Sequence, residues 1–138
     1  MSISQPPPPE AVLRSWNIVH PPQSSADAGL INHTYLIGSP LRGVLQWVNP
    51  IFDPDIHHDL HGITQHLKDK GLVTPELIPT QQSELMLRLG EGSWRMWTYV
   101  PGRTFHAVET TEIAYEAGAM LARFHRALSD YNEPRVGE

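Results

Sequence analysis

Two clusters in this chain hold groups that could do chemistry. The first is Gly29-Leu30-Ile31-Asn32-His33-Thr34-Tyr35-Leu36-Ile37, a glycine-led polar run that passes into apolar and aromatic residues. Glycine lacks a Cβ, so backbone N–H groups can come close to an anion such as phosphate, and Asn32 and Thr34 add short side-chain donors. The same residues would serve equally as a plain strand entry, and both readings stay open. The second cluster is His57-His58-Asp59-Leu60-His61, where His57 and His61 stand four apart, the spacing of a helical metal pair. No His-Glu-x-x-His arrangement accompanies them, and a helical wheel sets both histidines opposite an Ile/Leu stripe, so a solvated face is expected there. No nucleophile elbow, P-loop lysine motif or dinucleotide fingerprint occurs.

The elements that hold these clusters can be read from periodicity and turn signals. Residues 1–9 end in four prolines and are expected to form an extended, disordered tail, because proline supplies no N–H and cannot enter a helix interior. A short helix around 10–15 and a strand near 16–19 precede a hairpin of 30–38 and 43–48, turned at Gly38-Ser39-Pro40 and Gly43. Asp53-Pro54 has the form of an N-cap and first helical position. Ile56, Leu60, Ile63 and Leu67 then recur at helical spacing, and Lys68, Lys70 and Gly71 mark the end. A second hairpin, 84–89 and 93–100, turns at Gly90-Glu91-Gly92. In its second arm Trp94, Met96, Thr98 and Val100 face one way and Arg95, Trp97 and Tyr99 the other. Pro101-Gly102 breaks the strand, and a last helix over 112–128 aligns Ile113, Ala117, Met120, Phe124 and Leu128. This order predicts an α+β layer, an antiparallel sheet of about five strands with one packed helix, and one helix beyond it.

With 138 residues, 40% of them hydrophobic, the chain can bury one core. A formal net charge of −5 without any basic run leaves no footprint for a phosphodiester backbone, so no nucleic acid partner is expected. The absence of cysteine rules out disulfides and thiolate metal sites. No signal-peptide pattern opens the chain and no apolar run approaches the roughly 18 residues that span a bilayer, so no membrane partner and a cytoplasmic location are expected.

Local wording adds a resemblance. The run at 29–35 and the strand Val44-Leu45-Gln46-Trp47-Val48-Asn49, taken with Tyr99-Val100-Pro101-Gly102 and the helix Ala117-Gly118-Ala119-Met120-Leu121-Ala122-Arg123-Phe124-His125, resemble the aminoglycoside phosphotransferase and choline kinase-like family of small-molecule kinases. The branch most similar is the N-acetylhexosamine kinase type. The resemblance implies a protein kinase-like N-terminal lobe at 10–102, with a linker and the first helix of a further lobe at 103–138. It also implies ATP as cofactor, magnesium in a complete enzyme, and partners in the form of a nucleotide and a small-molecule hydroxyl substrate. Residues 29–34, with Gly29, Asn32, His33 and Thr34, would cover the ATP phosphates, and Val44 would roof the adenine. Thr98 and Val100 would supply the hinge acceptor and donor, with Tyr99 between them and Trp97 behind the pocket. Gln46 falls where the family commonly places a Lys or Arg, and the compensating cation stays open among Arg42, Arg88 and Arg95.

His57-His58-Asp59-Leu60-His61 superficially looks like the catalytic His-x-Asp-Leu-His loop of these enzymes. Yet it sits on the clearest helix, precedes the hinge, and has Thr64 where the metal-binding Asn would stand. No aspartate lies between Asp69 and Asp130, so the magnesium-holding aspartate that should follow such a loop is missing. The expectation is therefore a truncated phosphotransferase, its nucleotide-facing lobe, inactive alone and binding ATP weakly or not at all. A non-catalytic binding module that keeps the fold is the competing expectation, and a histidine metal-binding protein a third. The apolar stripe of the last helix is expected to cause self-association.

Overall fold

The structure, a computed structural model, describes residues 5–25 and 31–137. Along these residues the elements are α1 (Glu10–Ser15), β1 (Gln23–Ser24), β2 (His33–Ile37), β3 (Gly43–Val48), α2 (Ile56–Asp69), β4 (Leu87–Leu89), β5 (Gly92–Thr98) and α3 (Thr111–Leu128). The strands form one antiparallel sheet in the order β1-β2-β3-β5-β4. This is the α+β layer expected of a kinase-like N-terminal lobe.

Strand alternation sends Tyr35, Ile37, Leu45, Trp94 and Met96 to one face, where Val12 of α1, Trp16 and Ile18 close over them as the core. Each such side chain withdrawn from water stabilises the fold by about 1.5–3 kcal/mol. The strand expected near 16–19 is not formed. Instead Asn17 adopts a left-handed φ of 52°, its N–H donates to Arg14 O at 3.1 Å, and Ile18 N–H donates to Leu13 O at 2.8 Å. These bonds close the C-terminus of α1 and consume the backbone groups that a sheet neighbour would need. Residues 5–9 are extended, as their prolines require, but docked along β2. The Gln5 side chain accepts from Thr34 N–H (2.8 Å) and donates to Thr34 O (3.3 Å), and the Tyr35 hydroxyl donates to Pro6 O.

Asp53 Oδ1 accepts from Asp55 N–H at 2.9 Å, so this residue caps the turn that leads into α2. The helix ends at Gly71, with φ +82°, where Gly71 N–H donates to Lys68 O and Leu72 N–H to Leu67 O. Its buried residues are His57, Thr64 and Leu67. The histidine face expected to be solvated is thus partly an interior one, and His57 is fully buried. The reason is that α2 is wedged between two partners. Thr64 faces the cleft beside the sheet, whereas Ile56 lies against Gly137 and His66 Nε2 sits 2.9 Å from Ala127 O in the last turn of α3.

The proline-marked connection before β4 runs beside the end of β5. Ile78 N–H donates to Met96 O at 2.7 Å, and Thr98 N–H to Glu76 O at 2.8 Å, so β5 is flanked on both edges. Helix α3 starts with Thr110 Oγ1 accepting from Ile113 N–H at 3.2 Å and buries only Ala127. Among the described residues no helix is long and apolar enough to cross a membrane.

Candidate functional site

The sheet face opposite the core carries a row of polar side chains. Cross-strand register sets Thr34 of β2 beside Gln46 of β3, and Gln46 beside Arg95 of β5. Gln46 ties the row together: its Nε2 donates to Thr34 Oγ1 at 3.2 Å, and its Oε1 accepts from Arg95 Nε and from Trp97 Nε1, both at 3.0 Å. The Arg95 guanidinium lies 5.1 Å from the Trp97 ring centroid, within range of a cation–π attraction. Burial pushes its pKa below the usual arginine value.

Next to this row opens a cleft of about 430 Å³. Val44 and Gln46 of β3 and Trp97 and Thr98 of β5 form its floor, Tyr99 and Val100 its rim, and Thr64, Thr74 and Pro75 its far wall. The lining is mostly apolar with a few polar groups, the usual character of a small-molecule pocket. The Val100 N–H has no protein partner among the described residues, whereas the Thr98 N–H is occupied by Glu76 O and Thr98 Oγ1 accepts from Glu76 N–H. Among the described residues no carboxylate lines the cleft.

Of the residues singled out in the sequence, Val44, Gln46, Thr98, Tyr99 and Val100 line this cleft, and Thr34 joins it through Gln46. Asn32 and His33 do not. Asn32 Oδ1 accepts from Asn49 N–H at 3.0 Å, closing the end of the hairpin, and the His33 ring tilts against Trp47 at 4.9 Å, on the core side of β2. Asn32 thus closes the strand entry through its acceptor oxygen, a bond that does not use its Nδ2 donors. Gly29 lies outside the described residues. Thr64, Thr74 and Pro75 were not foreseen, since they reach the cleft from a helix and a connection whose approach to the sheet no local pattern records.

The histidines make no metal centre: among the described residues no group of three potential ligands comes together. His57 Nδ1 sits 2.6 Å from Pro54 O, and burial lowers its pKa from the ordinary histidine value. Asp59 is not a free helix carboxylate. Its two oxygens accept from Val136 N–H (2.7 Å) and Gly137 N–H (2.8 Å), which hold its pKa below the usual range. Of the three candidate cations, Arg88 is exposed and pairs with Asp55 at 3.4 Å, and Arg42 sits in the exposed turn after β2, which leaves Arg95 beside the cleft.

A family model described as the phosphotransferase enzyme family, APH, matches residues 23–137. That span takes in the whole sheet, the polar row, the cleft and α3, and the chain therefore belongs to the APH phosphotransferase family.

Proposed function

We propose that this chain forms the nucleotide-facing lobe of an ATP-dependent small-molecule kinase, with the N-acetylhexosamine kinase type as the nearest resemblance. The carrying observation is the cleft itself, which draws Val44 and Gln46 from one hairpin and Thr98, Tyr99 and Val100 from another around one apolar slot. A purine fits such a slot in size and character, with Trp97 and Val44 along its plane and the Val100 N–H offering a donor to its edge. When bound, ATP would supply the phosphoryl group for a hydroxyl acceptor. The chain's own residues would exclude water from the base and orient the phosphate end toward the polar row.

Magnesium does not fit the described residues. Among the described residues no carboxylate lines the cleft, Asp59 is held by Val136 and Gly137, and Asp130 pairs with Lys70 (2.7 Å) and His66 (2.9 Å). The same observation favours a second reading, a non-catalytic nucleotide-binding module that keeps the fold. Both readings expect no turnover by this chain alone, since phosphoryl transfer depends on a catalytic carboxylate and metal ligands.

The test is an ATP titration followed by backbone amide spectra, with ADP release assayed on the same preparation. The expected result is weak binding, with Kd on the order of millimolar, shifts at residues 29–34, 44–46 and 95–100, and ADP release at background. Gly29→Val should weaken binding further by crowding a backbone approach. Amide signals that stay still in both hairpins would overturn the nucleotide reading, and sustained ADP release would overturn the expectation of no turnover that both readings share.

A further inference from the structure

We infer that Arg95 is the cation that receives the phosphate end of the nucleotide, held in place by Gln46 and Trp97. This rests on the nucleotide reading of the cleft and adds to it the identity of the charge. Three observations carry it.

The first is an imbalance of charge. Among the described residues no carboxylate pairs with Arg95, and, unlike Arg14, Arg42, Arg123, Arg126 and Arg135, which also lack an ion pair but are exposed to water, it is half-buried. A half-buried guanidinium without a counter-ion is unfavourable by itself, and an anion delivered by a ligand would relieve it. The second is the use of its donors. Arg95 spends Nε on Gln46 Oε1, and among the described residues its two terminal nitrogens have no protein partner. A planar fork with its stem fixed and its tip free is suited to two parallel bonds to phosphate oxygens. The third is position. Gln46 and Trp97 both line the cleft and both touch Arg95, so a ligand with its base in the slot would bring its anionic tail to this side chain.

The arrangement also explains why a neutral amide stands at position 46. Gln46 and Arg95 are direct cross-strand partners, and a lysine there would set like charges opposite each other. The amide instead accepts from the guanidinium and fixes its direction, which makes Gln46 a positioning residue.

The experiment compares adenosine, ADP and ATP on the full chain without divalent cation, so that no metal masks the phosphate charge. Wild type should bind ATP about tenfold more tightly than adenosine, the scale of charge-assisted bonds to phosphate. Arg95→Met should bind adenosine as wild type does and lose the preference for ATP, with adenosine binding reporting that the cleft is folded. Arg95→Lys should keep part of the preference. Should Arg95→Met fail to fold, the Arg95 Nε–H resonance of wild type decides: it should move with ATP and with inorganic triphosphate, and stay with adenosine. An unchanged ATP-to-adenosine ratio in Arg95→Met, or an Nε–H signal indifferent to triphosphate while adenosine still binds, would overturn the role of Arg95 and leave the cleft reading standing. No binding of any of the three by wild type would overturn both.

Discussion

A histidine with no exposure, beside an arginine that has no carboxylate partner among the described residues, is an acid-sensitive point in this fold. His57 Nδ1 bonds to Pro54 O, so the neutral ring carries its lone pair on Nε2, a buried atom without a partner among the described residues. Burial holds the folded-state pKa below the ordinary value of 6.5, helped by the Arg95 charge. As pH falls below that value the unfolded chain takes up a proton that the folded chain resists, so stability declines until the folded pKa is reached. Denaturant midpoints should therefore drop between pH 7 and pH 5, and His57→Leu should flatten that decline. A decline of the same size in the variant would assign it to another group. Asp130, held at about 2 by Lys70 and then His66, predicts a separate loss that begins as pH falls through its ordinary 3.8 and is complete near 2.

At the level of elements, α2 is the piece on which the arrangement turns, because it touches the cleft on one side and the segment after α3 on the other. Thr64 reaches the cleft wall while Asp59 holds Val136 and Gly137, so the helix ties the cleft to the C-terminal part of the chain. Asp59→Asn should speed amide exchange at Val136 and Gly137 and leave the β-sheet amides protected; unchanged exchange at both would mean that the two bonds do not hold the segment. The β4–β5 hairpin has a different constraint. A Cβ at Gly92 would fall 2.3 Å from Trp47 Nε1 and 2.9 Å from Val48 O, and the latter is backbone that cannot swing aside. Gly92→Ala should destabilise the sheet by about 1–3 kcal/mol, measured by denaturant unfolding; a loss within error would show that β3 and β5 can part without cost.

At the scale of the molecule, the apolar side of α3 remains open. Tyr115, Met120, Leu121 and Phe124 are exposed by 72%, 48%, 54% and 37%, a concentration of apolar surface that seeks cover. We expect association of the chain with a second copy through this helix, visible as concentration-dependent sedimentation. Met120→Glu with Phe124→Lys should reduce it without altering the sheet. A monomer at high concentration with α3 protected from exchange would overturn the expectation.

What the sequence determined was whatever depends on neighbours along the chain. Period-two alternation in Trp94-Arg95-Met96-Trp97 separated core from cleft, and Gly71 ended α2 because only a residue at ease with positive φ closes that turn. The polar row was half legible, since alternation put Val44 and Gln46 on one face but could not reveal that register would bring Arg95 opposite Gln46. Only tertiary structure decided that. It also decided which face of α2 went inside, because a helix with two packing partners has no single solvated side and the wheel ranks faces by hydrophobicity alone. The docking of Gln5 on Thr34 and of Val136 and Gly137 on Asp59 belongs to the same class. These bonds join residues far apart in sequence, and no local preference of either partner encodes the other.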